Sequence, residues 1–237
     1  MENFWSRYKR NHAAVFGLLV VVLIIVMAIT ASFLYPEDPF RLVGKPLSKP
    51  LTNGFLLGSD SLGRDVASGI VHGAKTSLLI GFVATLVSVF IGIFFGAFAG
   101  YFGGLIDDIL MRVTEIFQTI PSFIFAILLV AIMKPSMGSI VIAIAVVSWP
   151  GVARLVRGEF LAVKNREFVQ ACHTLGMSDL RIMLREILPN CLSPIIVVGS
   201  LMVATAILIE SGLAFLGLGD PNIMSWGFLI GAGRTML

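Results

Sequence analysis

Gly73-Ala74-Lys75-Thr76 is the nearest approach to a reactive constellation in this chain. A lysine and a threonine after a glycine suggest nucleotide phosphate binding, in which backbone N–H groups cradle the anion and the ammonium neutralises it. That loop needs glycine directly before the lysine, in G-x-x-x-x-G-K-[ST], and here Ala74 intervenes. The other chemistry-bearing side chains are scattered. His12, His72 and His173 stand apart from one another, and Cys172 and Cys191 lack metal-ligand spacing. No G-x-S-x-G or H-E-x-x-H occurs, and no carboxylate pair stands beside a histidine. The expectation is a protein with no catalytic residues, no metal ligands and no cofactor. Any pumping it performs must draw energy from a partner or an ion gradient.

Function must then lie in an element that moves or binds. The charged stretch Arg166–Asn190, set between very apolar segments, has that character. Phe168, Ala171, Cys172 and Leu175 fall at i, i+3, i+4 and i+7, one face of a helix. Gly176 follows as a C-cap, where a left-handed backbone costs glycine little. Ser178 is placed to cap a second short helix, and Asp179 suits its positive first turn. That second helix is predicted to end near Pro189, because the residue before a proline disfavours helical dihedrals. Such a helix–glycine–helix element on a membrane protein presents a surface to a soluble partner. A second reading of the same residues is an interfacial helix lying on lipid headgroups.

The membrane assignment comes from composition. Hydrophobic residues make up 57% of the 237 positions and charged residues 13%; the mean hydropathy is +0.95. A soluble domain carries about a quarter charged residues. Crossing the hydrocarbon core takes roughly 20 apolar residues per helix. Five such runs are predicted as spans: Ala13–Pro36, Thr76–Ile106, Ile116–Met133, Pro135–Ala153 and Ile187–Ile209. A further run, Pro221–Gly233, is too short to span. The first run follows Arg7, Lys9 and Arg10 but is longer than a signal core and lacks an A-x-A site, so it reads as an uncleaved helix.

Lys and Arg set the orientation. With the N-terminus inside, Arg7, Lys9, Arg10, Arg112, Arg154, Arg157, Lys164, Arg166, Arg181 and Arg185 are cytoplasmic. Arg41, Lys45, Lys49, Arg64, Lys75, Lys134 and Arg234 then lie outside. The Arg154–Arg185 cluster decides the orientation and puts the charged element in the cytoplasm, where Cys172 and Cys191 stay reduced. The net charge of +3 belongs to this topology and gives no support for nucleic-acid binding.

Within the second span Ala84, Ser88, Gly92, Gly96 and Gly100 recur every fourth residue. Small residues at that spacing make a groove that a neighbouring helix can enter. Asp107, Asp108, Arg112 and Glu115 gather at the start of the third span, with Arg112 placed to pair with Asp108 at i, i+4. Glu210 ends a long apolar run; it either lines a solute path or gate, or bonds to neighbouring helices near the outer surface. Pro121 and Pro150 fall inside apolar runs and are expected to bend or interrupt them.

Three motifs carry a family resemblance. Leu57-Gly58-Ser59-Asp60-Ser61-Leu62-Gly63-Arg64-Asp65, followed by Gly73, Ser77 and Leu78, precedes the second span. In the charged element an E-A-A pattern falls on Gln170, Ala171 and Cys172, its glycine on Gly176, and a closing L-P on Leu188-Pro189. Phe215-Leu216-Gly217-Leu218-Gly219 is followed by Ser225-Trp226-Gly227 and Gly233-Arg234. Together these resemble the C-type membrane subunits of ABC importers of the dipeptide, oligopeptide and nickel permease group, over nearly the whole chain. Gln170 stands where the family has glutamate and Cys172 where it has a second alanine.

The resemblance implies an all-α, polytopic helical bundle of the type I importer kind, five spans visible and a sixth truncated or missing. It implies one transmembrane domain over 1–237: a first span at 13–35, an extracytoplasmic segment at 36–74, spans two to four at 76–153, a cytoplasmic coupling loop at 159–190, span five at 191–216, and the start of a last segment at 217–237. Implied partners are a second, B-type permease in a heterodimeric pore, two ATP-binding subunits, an extracytoplasmic solute-binding protein and the lipid bilayer of the inner membrane. Phe168, Gln170, Ala171, Cys172, Leu175 and Gly176 would then carry the coupling to the ATPase. Peptides are the expected cargo; nickel, opines, glutathione and oligosaccharides use similar permeases. The rivals from other classes are an ion-gradient transporter, which should show internal repeats, and a channel, which should show a polar pore stripe.

Overall fold

The computed structural model describes residues 8–52 and 54–234; Arg7 of the basic N-terminal triplet lies outside them. Its elements are α1 (His12–Leu34), α2 (Val66–Phe102), α3 (Gly104–Gln118), α4 (Ser122–Met133), α5 (Met137–Lys164), α6 (Glu167–Thr174), α7 (Asp179–Arg181), a π-helical stretch (Ile182–Ile187), α8 (Leu188–Phe215) and α9 (Trp226–Gly233). Extended pairing among the described residues is confined to two isolated bridges, Thr52–Phe55 and Ser59–Asp65. The all-α expectation holds because hydrocarbon offers no partner to backbone polar groups, which a helix satisfies internally.

Among the described residues four helical stretches are long and apolar enough to cross a membrane: α1, α2, α5 and the continuous stretch Asp179–Phe215. The third predicted span, Ile116–Met133, is not one helix. It is cut between Gln118 and Ser122, and α3 and α4 diverge by 80°. Pro121 causes the break, with no N–H to donate and steric pressure on the residue before it. The 12 residues of α4 rise only about 18 Å, short of the ~30 Å core. Counted as one broken span, the α3–α4 pair brings the candidate spans among the described residues to five. The second predicted span also ends earlier than expected. It stops at Phe102, where Gly103 and Gly104 take φ of 68° and 53°.

The chain forms two compact units. One contains the described residues up to Leu79 and from Pro221 onward. There Asp60 organises the loop before α2: one carboxylate oxygen accepts from the backbone N–H groups of Leu62 and Arg64, each at 2.9 Å, and the other accepts from Arg64 Nε at 2.6 Å. The Arg64 guanidinium lies over the Phe228 and Phe40 rings, 5.2 and 6.0 Å from their centroids. Trp226 pins α9 along the first part of α2, donating from its backbone to Ser77 Oγ at 3.1 Å and from Nε1 to the Ile70 carbonyl at 2.9 Å. The sequence motif before α2 and the Ser225-Trp226-Gly227 stretch of the third motif thus meet in one clasp.

The other unit is Ile80–Asp220. Ile80, Ala84, Ala126, Val130, Ile140, Ala143, Ile144, Ala206 and Leu213 draw α2, α4, α5 and α8 into one buried cluster. A second cluster joins Ala97 and Tyr101 of α2, Val152, Val156, Phe160 and Val163 of α5, Val169 of α6, and Ile182, Met183 and Ile187 of the π-helical stretch. The helix–glycine–helix element is thereby built into the bundle.

Candidate functional site

The element begins where α5 ends. Its first arm, α6, closes at Gly176 in a Schellman arrangement. The N–H of Met177 donates to the Cys172 carbonyl at 3.1 Å, that of Gly176 donates to His173 at 3.0 Å, and Gly176 has φ of 73°. This left-handed geometry penalises any residue with a Cβ, and only glycine takes it freely. Ser178 occupies the N-cap position of α7, but its hydroxyl makes no capping bond. The second arm does not stop at Pro189, contrary to the sequence expectation. It widens into π geometry over Ile182–Ile187 and runs on as α8 to Phe215. The π turn removes the conflict, because a proline lacks the N–H for an i−4 bond and its ring crowds that carbonyl.

Of the coupling residues predicted from sequence, Cys172 alone turns toward the core, among residues that the sequence reading did not single out. Val169, Ile182, Met183 and Ile187 are buried, and Cys172 packs half-buried against the same cluster. Phe168, Gln170, Ala171, Leu175 and Gly176 face outward. Leu175 is 80% exposed, and the second arm adds the exposed apolar side chains of Leu180 and Leu184. Arg166, Glu167, Arg181 and Arg185 are exposed around them. Gln170 reaches back to the Asn165 carbonyl at 3.3 Å. An apolar ridge in a charged surround can bury against a complementary cleft while the charges select its partner.

Sequence reasoning missed the residues that hold this element. The Tyr101 hydroxyl, at the end of α2, donates to Asp179 Oδ1 at 2.7 Å and lies 3.5 Å from His173 Nε2. Lys164 Nζ donates to the Tyr101 carbonyl at 3.0 Å. Arg157 of α5 grips Asp107 of α3 with two bonds, at 2.5 and 2.6 Å. Arg112 pairs with Glu115 at 3.0 Å instead of Asp108; that pair is solvent-exposed and contributes little. A lone tyrosine at the end of an apolar run was the available signal for Tyr101, but its partner is 78 residues away.

The glycine ladder lies against α5. A Cβ on Gly92 would meet Val152 Cβ at 2.5 Å, one on Gly96 would fall 2.4 Å from the Ala153 carbonyl oxygen, and one on Gly100 would fall 2.7 Å from Phe160 Cβ. Ser88 donates to the Ala84 carbonyl at 2.8 Å on the same face. Glu210 is 1% exposed within the interior of its unit.

Comparison with known proteins identifies the bundle. The family described as binding-protein-dependent transport system inner membrane component matches residues 92–231, and the N-terminal TM domain of oligopeptide transport permease C matches residues 1–49. The Bacillus subtilis dipeptide transport system permease protein DppC is 40% identical over 98% of this chain and 73% of its own length. The chain belongs to this permease family. The Shigella flexneri glutathione transport system permease protein GsiD is 39% identical over 99% of this permease and 78% of its own length. The solved inward-facing MetNI methionine ABC transporter shares the fold with a TM-score of 0.59 at 17% identity, over 70% of this permease and 80% of that chain. The permease is a multi-pass inner membrane subunit of an ABC importer. It is a transport subunit, and ATP hydrolysis belongs to separate subunits. Binding-protein-dependent import requires ATPase and permease partners and a solute-binding protein.

Proposed function

We propose that this permease imports di- and oligopeptides and takes its power stroke from an ATPase seated on the Glu167–Arg185 element. The observation that carries this reading is the outward apolar ridge, Leu175 above all, on an element whose other side is built into the bundle core. Burying a leucine that is 80% exposed contributes about 1.5–3 kcal/mol, and a rigid seat transmits what a loose loop would absorb. Phe168, Ala171 and Leu175 fill the ATPase cleft, Gly176 sets the bend, Gln170 flanks the contact, and Cys172 anchors the helix to the core from its other side. Two ATP-binding subunits and a second, B-type permease complete a heterodimeric pore. The N-terminus is cytoplasmic, residues 36–74 face the binding protein, and Gly92, Gly96 and Gly100 pack α2 tightly against α5. Glu210, buried within its unit, biases the gate or solute path.

Peptide cargo is supported by the relatives' names, since dipeptides and glutathione are all short peptides. Nickel, opine or oligosaccharide import is the alternative within the same class, settled by which solute the binding protein retains.

Affinity purification from detergent tests the docking reading. The unaltered chain is expected to bring down an ATPase and a second permease. Leu175→Asp and Gly176→Pro are expected to insert normally yet to abolish solute-stimulated ATP hydrolysis. Unimpaired stimulation in both variants sinks the assignment, and absence of any ATPase from the unaltered preparation favours ion-coupled transport.

A further inference from the structure

Tyr101 touches both arms of the element at once. Its hydroxyl donates to Asp179 in the first turn of α7 at 2.7 Å. Its ring lies 6.3 Å from that of His173, in the last turn of α6, at an interplanar angle of 24°. These contacts straddle the left-handed turn at Gly176, where the two arms join. Tyr101 is itself firmly held. It is buried, Lys164 clamps its carbonyl, and the neighbouring Gly100 leaves no room between α2 and the Arg157–Phe160 turn of α5. Two residues later α2 ends at the Gly103–Gly104 break. Tyr101 therefore stands between the left-handed turn on the element and a break in the membrane helix.

A phenylalanine would fill the same apolar space. The hydroxyl adds direction: a short bond to a carboxylate fixes the start of the second arm relative to α2. We infer that Tyr101 is a positioning residue of the coupling step, its bond to Asp179 locking the two arms so that displacement of the Leu175 ridge is delivered to α2 instead of being taken up at Gly176. This inference builds on the docking reading above. Without the bond, ATP hydrolysis continues but its motion is partly lost within the element.

The test uses the complete importer in proteoliposomes, with its partner permease, ATPase and binding protein, and radiolabelled dialanine as the transported probe. The quantity read is peptide moved per ATP hydrolysed. Tyr101→Phe is expected to keep subunit recovery and melting temperature at the unaltered level while that ratio falls about tenfold, the scale of one charge-assisted hydrogen bond. Asp179→Ala should match it, Asp179→Asn should fall between Asp179→Ala and the unaltered permease by keeping an acceptor without its charge, and the double variant should be no worse than either single. A normal ratio in Tyr101→Phe, additive losses in the double variant, or a loss of assembly parallel to the loss of transport overturns the positioning role. Failure of the unaltered permease to retain an ATPase overturns the docking reading, and this inference with it; an intact, ATPase-bearing complex indifferent to Tyr101→Phe overturns this inference alone.

Discussion

Arg64 shows how a motif residue works by structure. Its side chain is 8% exposed and that of Asp60 is 12% exposed, so the ion pair is largely desolvated. Removing one partner from such a pair strands the other, at a cost of about 3–5 kcal/mol. The guanidinium also covers two aromatic rings, a contact suited to its flat, weakly hydrated shape. Arg64→Met is therefore expected to lower the melting temperature of the purified complex by roughly 5–10 °C, and Arg64→Lys to recover less than half of that loss. Thermal unfolding in detergent checks both, and an Arg64→Lys variant as stable as the unaltered protein refutes the stacking contribution. Gly176 differs from Arg64 in being legible from sequence: its left-handed turn is a local requirement, met by its own hydrogen bonds to the preceding helical turn.

At the scale of elements, the α2–α5 seam depends on the absence of side chains. Inserting a methyl group at Gly96 drives it into the Ala153 backbone, which cannot yield as a flexible side chain would. Gly96→Ala is expected to destabilise by about 1–3 kcal/mol, the usual range for overpacking, and Gly96→Leu to prevent stable assembly. Gly158→Ala is the control, because nothing lies within 4 Å of its added methyl, and helix propensity makes it neutral or slightly stabilising. Yield after size-exclusion chromatography and melting temperature separate the cases. Equal behaviour of Gly96→Ala and Gly158→Ala would mean that the seam is looser than the distances imply. The ladder was readable because a period of four on a helix keeps one face. Its occupant was not, since α5 shows no matching small-residue signal.

For the whole molecule, the proposed orientation makes a prediction that chemistry can read directly. In a background with Cys172 and Cys191 replaced by serine and alanine, Lys45→Cys should react with a membrane-impermeant maleimide in intact cells. Leu175→Cys should react only after permeabilisation. The reverse pattern inverts the topology and moves the Leu175 ridge out of reach of any cytoplasmic ATPase. The exposed apolar length of α1, where burial within the chain is limited to Ala28 and Ala31, fits a helix surrounded by lipid or partner helices.

Much of this architecture was fixed by composition and period. Long uncharged runs must become helices in hydrocarbon, Pro121 must interrupt the run that contains it, and Gly176 must end its helix, because each effect acts over a few residues. Tertiary structure decided the remainder. It turned Cys172 toward the core and left Leu175 outside, carried the second arm through Pro189 by a π turn, paired Asp107 with Arg157, and brought Tyr101 to Asp179. Those outcomes depend on which helices lie side by side. Hydrophobic pattern specifies that a face is buried but carries no record of the distant residue it meets.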